Sequence, residues 1–401
     1  MSGHQLFLHS LNLRMQGRIE RQLVRERRHM QSPQGVKVVI DGKQLLSFCS
    51  NDYLGLANHP DVIAAFKRGL DEYGAGSGAS HLVTGHTRAH TALEEELADF
   101  TGRSRALLFG SGYMANVGVL TTLIDDKDQV FEDKLNHASL LDGGLFSGAN
   151  FRRYPHKDMK RLEQMLDGAE PEGLRLLVSD GVFSMDGDVA PLGQLLKIAD
   201  KYRGIMMIDD AHGFGCLGKN GGGVVEAAQE RGAQIDEIRL PILMGTLGKA
   251  FGTAGAFVAG CDELIESLIQ FSRPYIYTTA LPAALAVATR ASLQLVRNEG
   301  WRREHLRTLV QRFRKGAAEL KLNLLDSPTQ IQVLILETAE RALAASVQLE
   351  QQGILATAIR PPTVPPGTSR LRLTLSAAHT EQHVDQLLAA LAGLKLPPVR
   401  A

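Results

Sequence analysis

The stretch Leu240-Pro241-Ile242-Leu243-Met244-Gly245-Thr246-Leu247-Gly248-Lys249-Ala250-Phe251-Gly252 decides how this chain is read. Its first five residues form an apolar run that predicts a buried strand. A single lysine then follows in a loop of small residues, with a second small-residue run, 252–260, behind it. Lysine is seldom fully buried unless paired. A desolvated lysine releases its proton more readily and can form a Schiff base with a carbonyl. The same octapeptide, 245–252, also reads as a flexible turn with a solvated lysine, so the rest of the chain has to decide.

Outward from that loop, 105–280 is built of short apolar runs at 106–109, 129–132, 174–179, 205–209, 240–244 and 255–259. Helix-length segments such as 113–124, 158–167 and 192–203 separate most of them. This alternation predicts an α/β fold with a mostly parallel central sheet and helices on both faces. Ligands in such sheets sit beyond the carboxyl ends of the strands. After a helix at 282–298 a smaller α+β unit follows: strand 331–336, helix 338–352, strand 354–359, strand 370–375 and helix 381–393. The expected division is an N-terminal helix and hairpin segment over 1–60, a large domain over 61–298 and a small C-terminal domain over 299–401. Within the first, 36–48 alternates around Asp41-Gly42 and predicts a hairpin. A helix is expected over 5–30, with Arg14, Arg18, Arg21, Arg25 and Arg28 along one face. That stripe reads either as a solvated face or as a steering surface for an anionic substrate.

The 401 residues carry 44 basic and 44 acidic side chains, so no global charge favours nucleic acid or a membrane surface. Cys49, Cys216 and Cys261 are scattered, without a pair at metal-ligand spacing, which fits a reducing compartment. No apolar run reaches the ~18 residues of a membrane helix, and no charged start with an apolar core marks a secretory signal. A cytoplasmic enzyme is the expectation.

Four further motifs fall at or beyond expected strand ends. Gly110-Ser111-Gly112-Tyr113 opens a helix, where backbone amides can hold an anion, although a lone Gly-Ser-Gly also makes a tight turn. Asp209-Asp210-Ala211-His212-Gly213 sets two carboxylates at a buried strand end, which needs a cation. A protonated pyridine nitrogen would serve; a metal or a helix cap are the other readings, and further ligands at close spacing are missing. Asn136-His137-Ala138-Ser139 begins a helix, where His137 also reads as a cap, and Phe183-Ser184-Met185-Asp186-Gly187-Asp188 supplies a hydroxyl.

With these pieces in place, nearly the whole chain resembles the α-oxoamine synthases, a family of fold-type I pyridoxal-phosphate enzymes. The resemblance rests on 50–56, the glycine segment 74–85, 136–141, 182–188, 209–213, 246–249 and Ile359-Arg360-Pro361-Pro362-Thr363-Val364-Pro365. The last of these resembles the branch acting in biotin biosynthesis. It implies the fold-type I transferase fold with pyridoxal 5'-phosphate as cofactor. It also implies a decarboxylative condensation of L-alanine with a pimeloyl thioester, carried by coenzyme A or by an acyl carrier protein. Carried over by residue, Lys249 would bind the cofactor covalently and shuttle a proton, and Asp209 would hold the pyridinium nitrogen. His212 and Ser184 would stand near the ring hydroxyl and His137 against the ring, with Gly112, Tyr113 and Thr246 on the phosphate. Arg360 would pair with the amino-acid carboxylate, and Arg25, Asn51 and Thr363 would line the substrate pocket. The family is a homodimer, in which Thr278 and Thr279 would reach a neighbour's phosphate. Two positions depart from the family pattern: Asp180, where close relatives often have glutamate, and His81, where many have arginine.

Overall fold

The computed structural model describes residues 1–20, 23–168 and 173–398. Its centre is a seven-stranded sheet of β3 (Arg105–Phe109), β4 (Gln129–Asp133), β5 (Asn150–Tyr154), β6 (Arg175–Asp180), β7 (Ile205–Asp209), β8 (Ile242–Thr246) and β9 (Ala256–Gly260). Their spatial order is β3-β9-β8-β7-β6-β4-β5, and β9 pairs antiparallel with both neighbours while β8, β7, β6, β4 and β5 run parallel. Both faces are covered, which is why Leu176-Leu177-Val178 and Met206-Met207-Ile208 are fully buried without alternating. Strand β5 was not foreseen: Asn150-Phe151-Arg152-Arg153-Tyr154 is half exposed at the sheet edge and carries no apolar run.

Ahead of this sheet, β1 (Lys37–Ile40) and β2 (Lys43–Ser47) form the expected hairpin. Asp41 and Gly42 both have positive φ (50° and 76°), the requirement of a two-residue turn matched to strand twist. The C-terminal part supplies β10 (Ile331–Glu337), β11 (Ile354–Leu355), β12 (Thr357–Ile359) and β13 (Ser369–Thr374). The single strand expected over 354–359 is in fact two. β11 runs parallel to β2, whereas β12 joins β13, so the chain changes sheets at the buried Ala356.

The first helix, Gly3–Glu20, is shorter than the 5–30 expected and buries none of its residues. Leu23 N closes back on Arg18 O at 2.8 Å, and the chain leaves the helix there. Arg14 and Arg18 are therefore helical, Arg21 lies outside the described residues, and Arg25 and Arg28 follow in chain without helix or strand. Arg28 is committed elsewhere, with a fork to Glu350 (2.6 and 3.0 Å) and its Nε on Asp41 at 3.1 Å. The five-arginine stripe does not exist as one face. Among the described residues no helix is long and apolar enough to cross a membrane.

Candidate active site

Strand ends place the polar side chains. Beyond the carboxyl ends of the parallel strands lies a cavity of ≈ 200 Å³, walled by residues at or just past the ends of β3 (Gly112, Tyr113), β4 (His137, Ser139), β6 (Asp180, Val182), β7 (Asp209, His212) and β8 (Thr246, Lys249). Residues more than 100 positions apart in sequence thus converge because each stands at or just past the carboxyl end of a strand of one sheet.

Lys249 Nζ lies 3.0 Å from His212 Nε2, and Tyr53 OH lies 2.7 Å from His212 Nδ1. Burial, followed by the charge of Lys249, pulls His212 well below the ordinary histidine range, so the ring is neutral. A neutral imidazole donates from one nitrogen only. With the amine facing Nε2, the proton sits on Nδ1 and points at Tyr53, whose hydroxyl donates to Asn51 Oδ1 at 3.0 Å. Gln330 fixes the same histidine through its carbonyl at 2.7 Å. Burial also lowers the pKa of Lys249, against the opposing pull of Asp209 and Asp180.

Asp209 is held from both sides. One carboxylate oxygen accepts from Asn116 Nδ2 at 2.7 Å and the other from the Ala211 amide at 2.9 Å. Asn116 also donates to Ser139 Oγ, which lies 2.7 Å from His137 Nδ1, so one hydrogen-bonded row joins Asp209 to His137. His137 caps the helix Ala138–Phe146, as its sequence position allowed, and burial lowers its pKa. Its amide donates to Asp180 Oδ1 at 3.2 Å. Burial and the neighbouring Asp209 push Asp180 well above the usual carboxylate range, and Asp180 Oδ2 and Asn116 Oδ1 are buried without a hydrogen-bond partner.

At the other end, Ser111 caps helix Gly112–Leu123 by accepting from Met114 N at 3.2 Å. Gly112 and Tyr113, the first residues of that helix, line the cavity together with Thr246, whose hydroxyl donates to Gly255 O at 3.1 Å. Tyr113 is half exposed and its hydroxyl donates to Asp142 at 2.7 Å.

The cavity therefore offers a desolvated amine, a buried carboxylate, an orphaned acid oxygen and a helix N-terminus. Those are the groups that a phosphorylated, protonated pyridine aldehyde requires, and pyridoxal phosphate fits them.

The remaining expected residues lie elsewhere. Asn51 stands two hydrogen bonds away from His212, through Tyr53. Ser184 presents its carbonyl to Arg372 Nε at 2.6 Å. Arg25, Arg360 and Thr363 line a separate cavity of ≈ 250 Å³ together with Arg18. Thr278 is half-buried and Thr279 exposed, neither on the wall of the central cavity. Asn116, Ser139, Tyr53 and Arg372 were not singled out in the sequence. Tyr53 lay inside the 50–56 motif and Ser139 inside the 136–141 motif, the signals that could have found them, whereas Asn116 and Arg372 lay in none.

The aminotransferase class I and II family model matches residues 43–391. An 8-amino-7-oxononanoate synthase of Stutzerimonas stutzeri (strain A1501) is 58% identical over 379 residues, covering 94% of this chain and 95% of its own length. Among solved structures, a serine palmitoyltransferase of S. paucimobilis with bound PLP superposes with a TM-score of 0.89 at 30% identity, covering 96% of both chains. An 8-amino-7-oxononanoate synthase of Francisella tularensis gives a TM-score of 0.76 at 32% identity, covering 87% of this chain and 97% of that one.

Proposed function

The chain belongs to the 8-amino-7-oxononanoate synthases of the aminotransferase class I and II family, and from that premise we propose that it is a pyridoxal-phosphate-dependent acyltransferase of biotin biosynthesis. It joins L-alanine to a pimeloyl thioester and releases carbon dioxide and the thiol carrier, coenzyme A or an acyl carrier protein. The observation that supports this best is the meeting of Lys249, His212, Asp209 and His137 in one cavity at the ends of β4, β7 and β8.

The bound cofactor supplies an electron sink that makes a carbanion at the alanine Cα accessible. Lys249 would carry it, Asp209 would accept from its ring nitrogen, and His137 and His212 would bear on the ring, where the family resemblance also puts Ser184. The opening amides of helix Gly112–Leu123, with Tyr113 and Thr246, would hold the phosphate. Once the alanine amine has displaced it, the freed Lys249, held below its ordinary pKa by burial, would take the Cα proton at Nζ. His212 at 3.0 Å orients that nitrogen. Lys249 returns a proton to the same carbon once the new C–C bond has formed and the carboxylate has left as carbon dioxide. By the family resemblance Arg360 would fork the alanine carboxylate, with Asn51, Thr363 and Arg25 on the acyl side; Arg25, Arg360 and Thr363 line the separate cavity of ≈ 250 Å³.

We further propose a cytoplasmic homodimer. Helix Gly3–Glu20 exposes Leu6, Phe7, Leu11, Leu13 and Ile19, and Tyr277, beside Thr278 and Thr279, is 72% exposed. A second copy would cover such surface. The test of the reaction is to offer alanine, glycine and serine with pimeloyl-CoA or a pimeloyl acyl carrier protein and to follow product mass. Product with serine or glycine but none with alanine would reject the assignment.

A further inference from the structure

Away from the cavity, the turn after β5 carries His156 and Lys157, and Lys157 has a positive φ of 53°. His156 presents both ring nitrogens to carboxylates: Nδ1 lies 3.0 Å from Asp133 Oδ1 and Nε2 lies 2.9 Å from Asp188 Oδ2. Asp133 already accepts from the amides of Leu135 and Lys157, each at 2.8 Å, and is 1% exposed. Asp188 also takes Lys157 Nζ at 2.8 Å. Carboxylates that accept such bonds are ionised and cannot donate, so both nitrogens carry protons and the ring is an imidazolium. Close by, Asp186 pairs with Arg370 of β13. Three cations, His156, Lys157 and Arg370, thus face three carboxylates, Asp133, Asp186 and Asp188, and the cluster neutralises itself without a metal. The edge of the His156 ring meets Phe183 at 4.4 Å and 86°.

What these contacts hold is the loop 181–189, closed on itself by a bridge between Val182 and Val189. That loop touches the active site twice. Val182 lines the cavity, and the Ser184 carbonyl receives Arg372, whose guanidinium reaches Tyr53 OH at 3.4 Å and Asn51 at 3.5 Å. Tyr53 in turn sets the His212 ring that faces Lys249.

We propose that His156 is a positioning residue, an imidazolium staple that ties loop 181–189 to the end of β4 and so fixes the wall and the arginine partner of the active site. The consequence for turnover rests on the function proposed above; the staple itself does not. Burial lowers the pKa of His156, but the hydrogen bonds to Asp133 and Asp188 outweigh it and raise it to about 9. A group raised above its unfolded value of about 6.5 contributes stability that is full below that pH and is lost as pH rises through the folded pKa.

The test compares the parent with His156→Gln and Asp188→Asn, free of cofactor and loaded. In the parent the His156 ring should titrate near pH 9 by NMR, and in Asp188→Asn at a lower pH. The melting-temperature advantage of the parent over His156→Gln should be largest near pH 6 and vanish by about pH 10. In the loaded enzyme, kcat of His156→Gln should fall roughly 10–100-fold at neutral pH through misplacement of the site. A ring titrating near its ordinary value, or a melting difference that does not change with pH, overturns the staple. Should His156→Gln not fold, the titrations of the parent and of Asp188→Asn decide alone. A parent without turnover would sink the functional reading and leave the titration standing.

Discussion

Tyr53 OH lies 2.7 Å from Nδ1 of His212, on the opposite edge of the ring from Lys249, whose Nζ is 3.0 Å from Nε2. The phenol therefore sets which nitrogen of a buried, neutral histidine accepts from the lysine. Tyr53→Phe leaves Nδ1 buried without a partner, at a cost of about 1–3 kcal/mol. We expect kcat to fall roughly 10–100-fold with a changed pH profile. Borohydride reduction of the loaded enzyme, followed by peptide mapping, should still place the pyridoxyl group on Lys249. A label on any other lysine removes Lys249 from its role, and unchanged kinetics in Tyr53→Phe remove Tyr53.

Asp209 accepts from Asn116 Nδ2 at 2.7 Å on one oxygen and from the Ala211 amide at 2.9 Å on the other, so an asparagine in its place can accept only one of the two bonds. Asp209→Asn should keep the fold and weaken pyridoxal phosphate by on the order of 1.5–3 kcal/mol, the contribution of a hydrogen bond to a charged group. Exchange of the alanine Cα proton with solvent should fall further than cofactor affinity does. Near-parental exchange in the saturated variant would show that the carboxylate has another task.

What could be read in advance follows a physical line. Asp209 ends a buried strand, and Lys249, His212 and His137 sit in short loops directly after such strands, so local pattern alone placed them at one sheet edge. Asn116 lies mid-helix and Arg372 mid-strand. Each reaches the site only through tertiary contacts, and neither breaks a local rule that a reader of sequence could notice. The same distinction explains the errors in the fold. The first helix ends at Glu20, short of the reach its arginine spacing predicts, because that spacing is local whereas the attachment of Arg28 to Glu350 is not. Ala356 carries no mark of the change of sheet between β11 and β12.

The lysine loop also depends on a glycine. Gly252 has φ +65°, and a Cβ there would fall 2.3 Å from Ala57 N and 2.5 Å from the Leu56 carbonyl carbon. Both obstacles are backbone and cannot rotate away. Gly252→Ala should cost roughly 2–4 kcal/mol, read as a lower denaturant midpoint. Gly248 is the internal control, with no contact nearer than 3.6 Å and no positive φ. Gly248→Ala should change stability by less than about 1 kcal/mol. Equal effects at the two positions would show that the packing of loop 248–252 against residues 56–57 is not what holds it.

Acid should unfold the protein partly through His379. Its Nδ1 accepts from the Ser376 amide at 3.0 Å, Nε2 donates to Ser47 O at 2.9 Å, and the ring stacks on Phe48 at 4.4 Å. A proton on Nδ1 would face an amide hydrogen, and burial lowers the pKa to about 4. The unfolded value is about 6.5, so between these two limits the unfolded chain binds more protons than the native one. Stability therefore falls as pH drops from about 6.5 towards 4. His379→Gln can copy both hydrogen bonds but cannot be protonated; it loses only the ring stacking. The parent's advantage over the variant should be greatest near pH 7 and shrink steadily to pH 4, measured as urea-unfolding free energies across that range. A constant difference would mean that His379 contributes packing alone and that acid unfolding begins elsewhere.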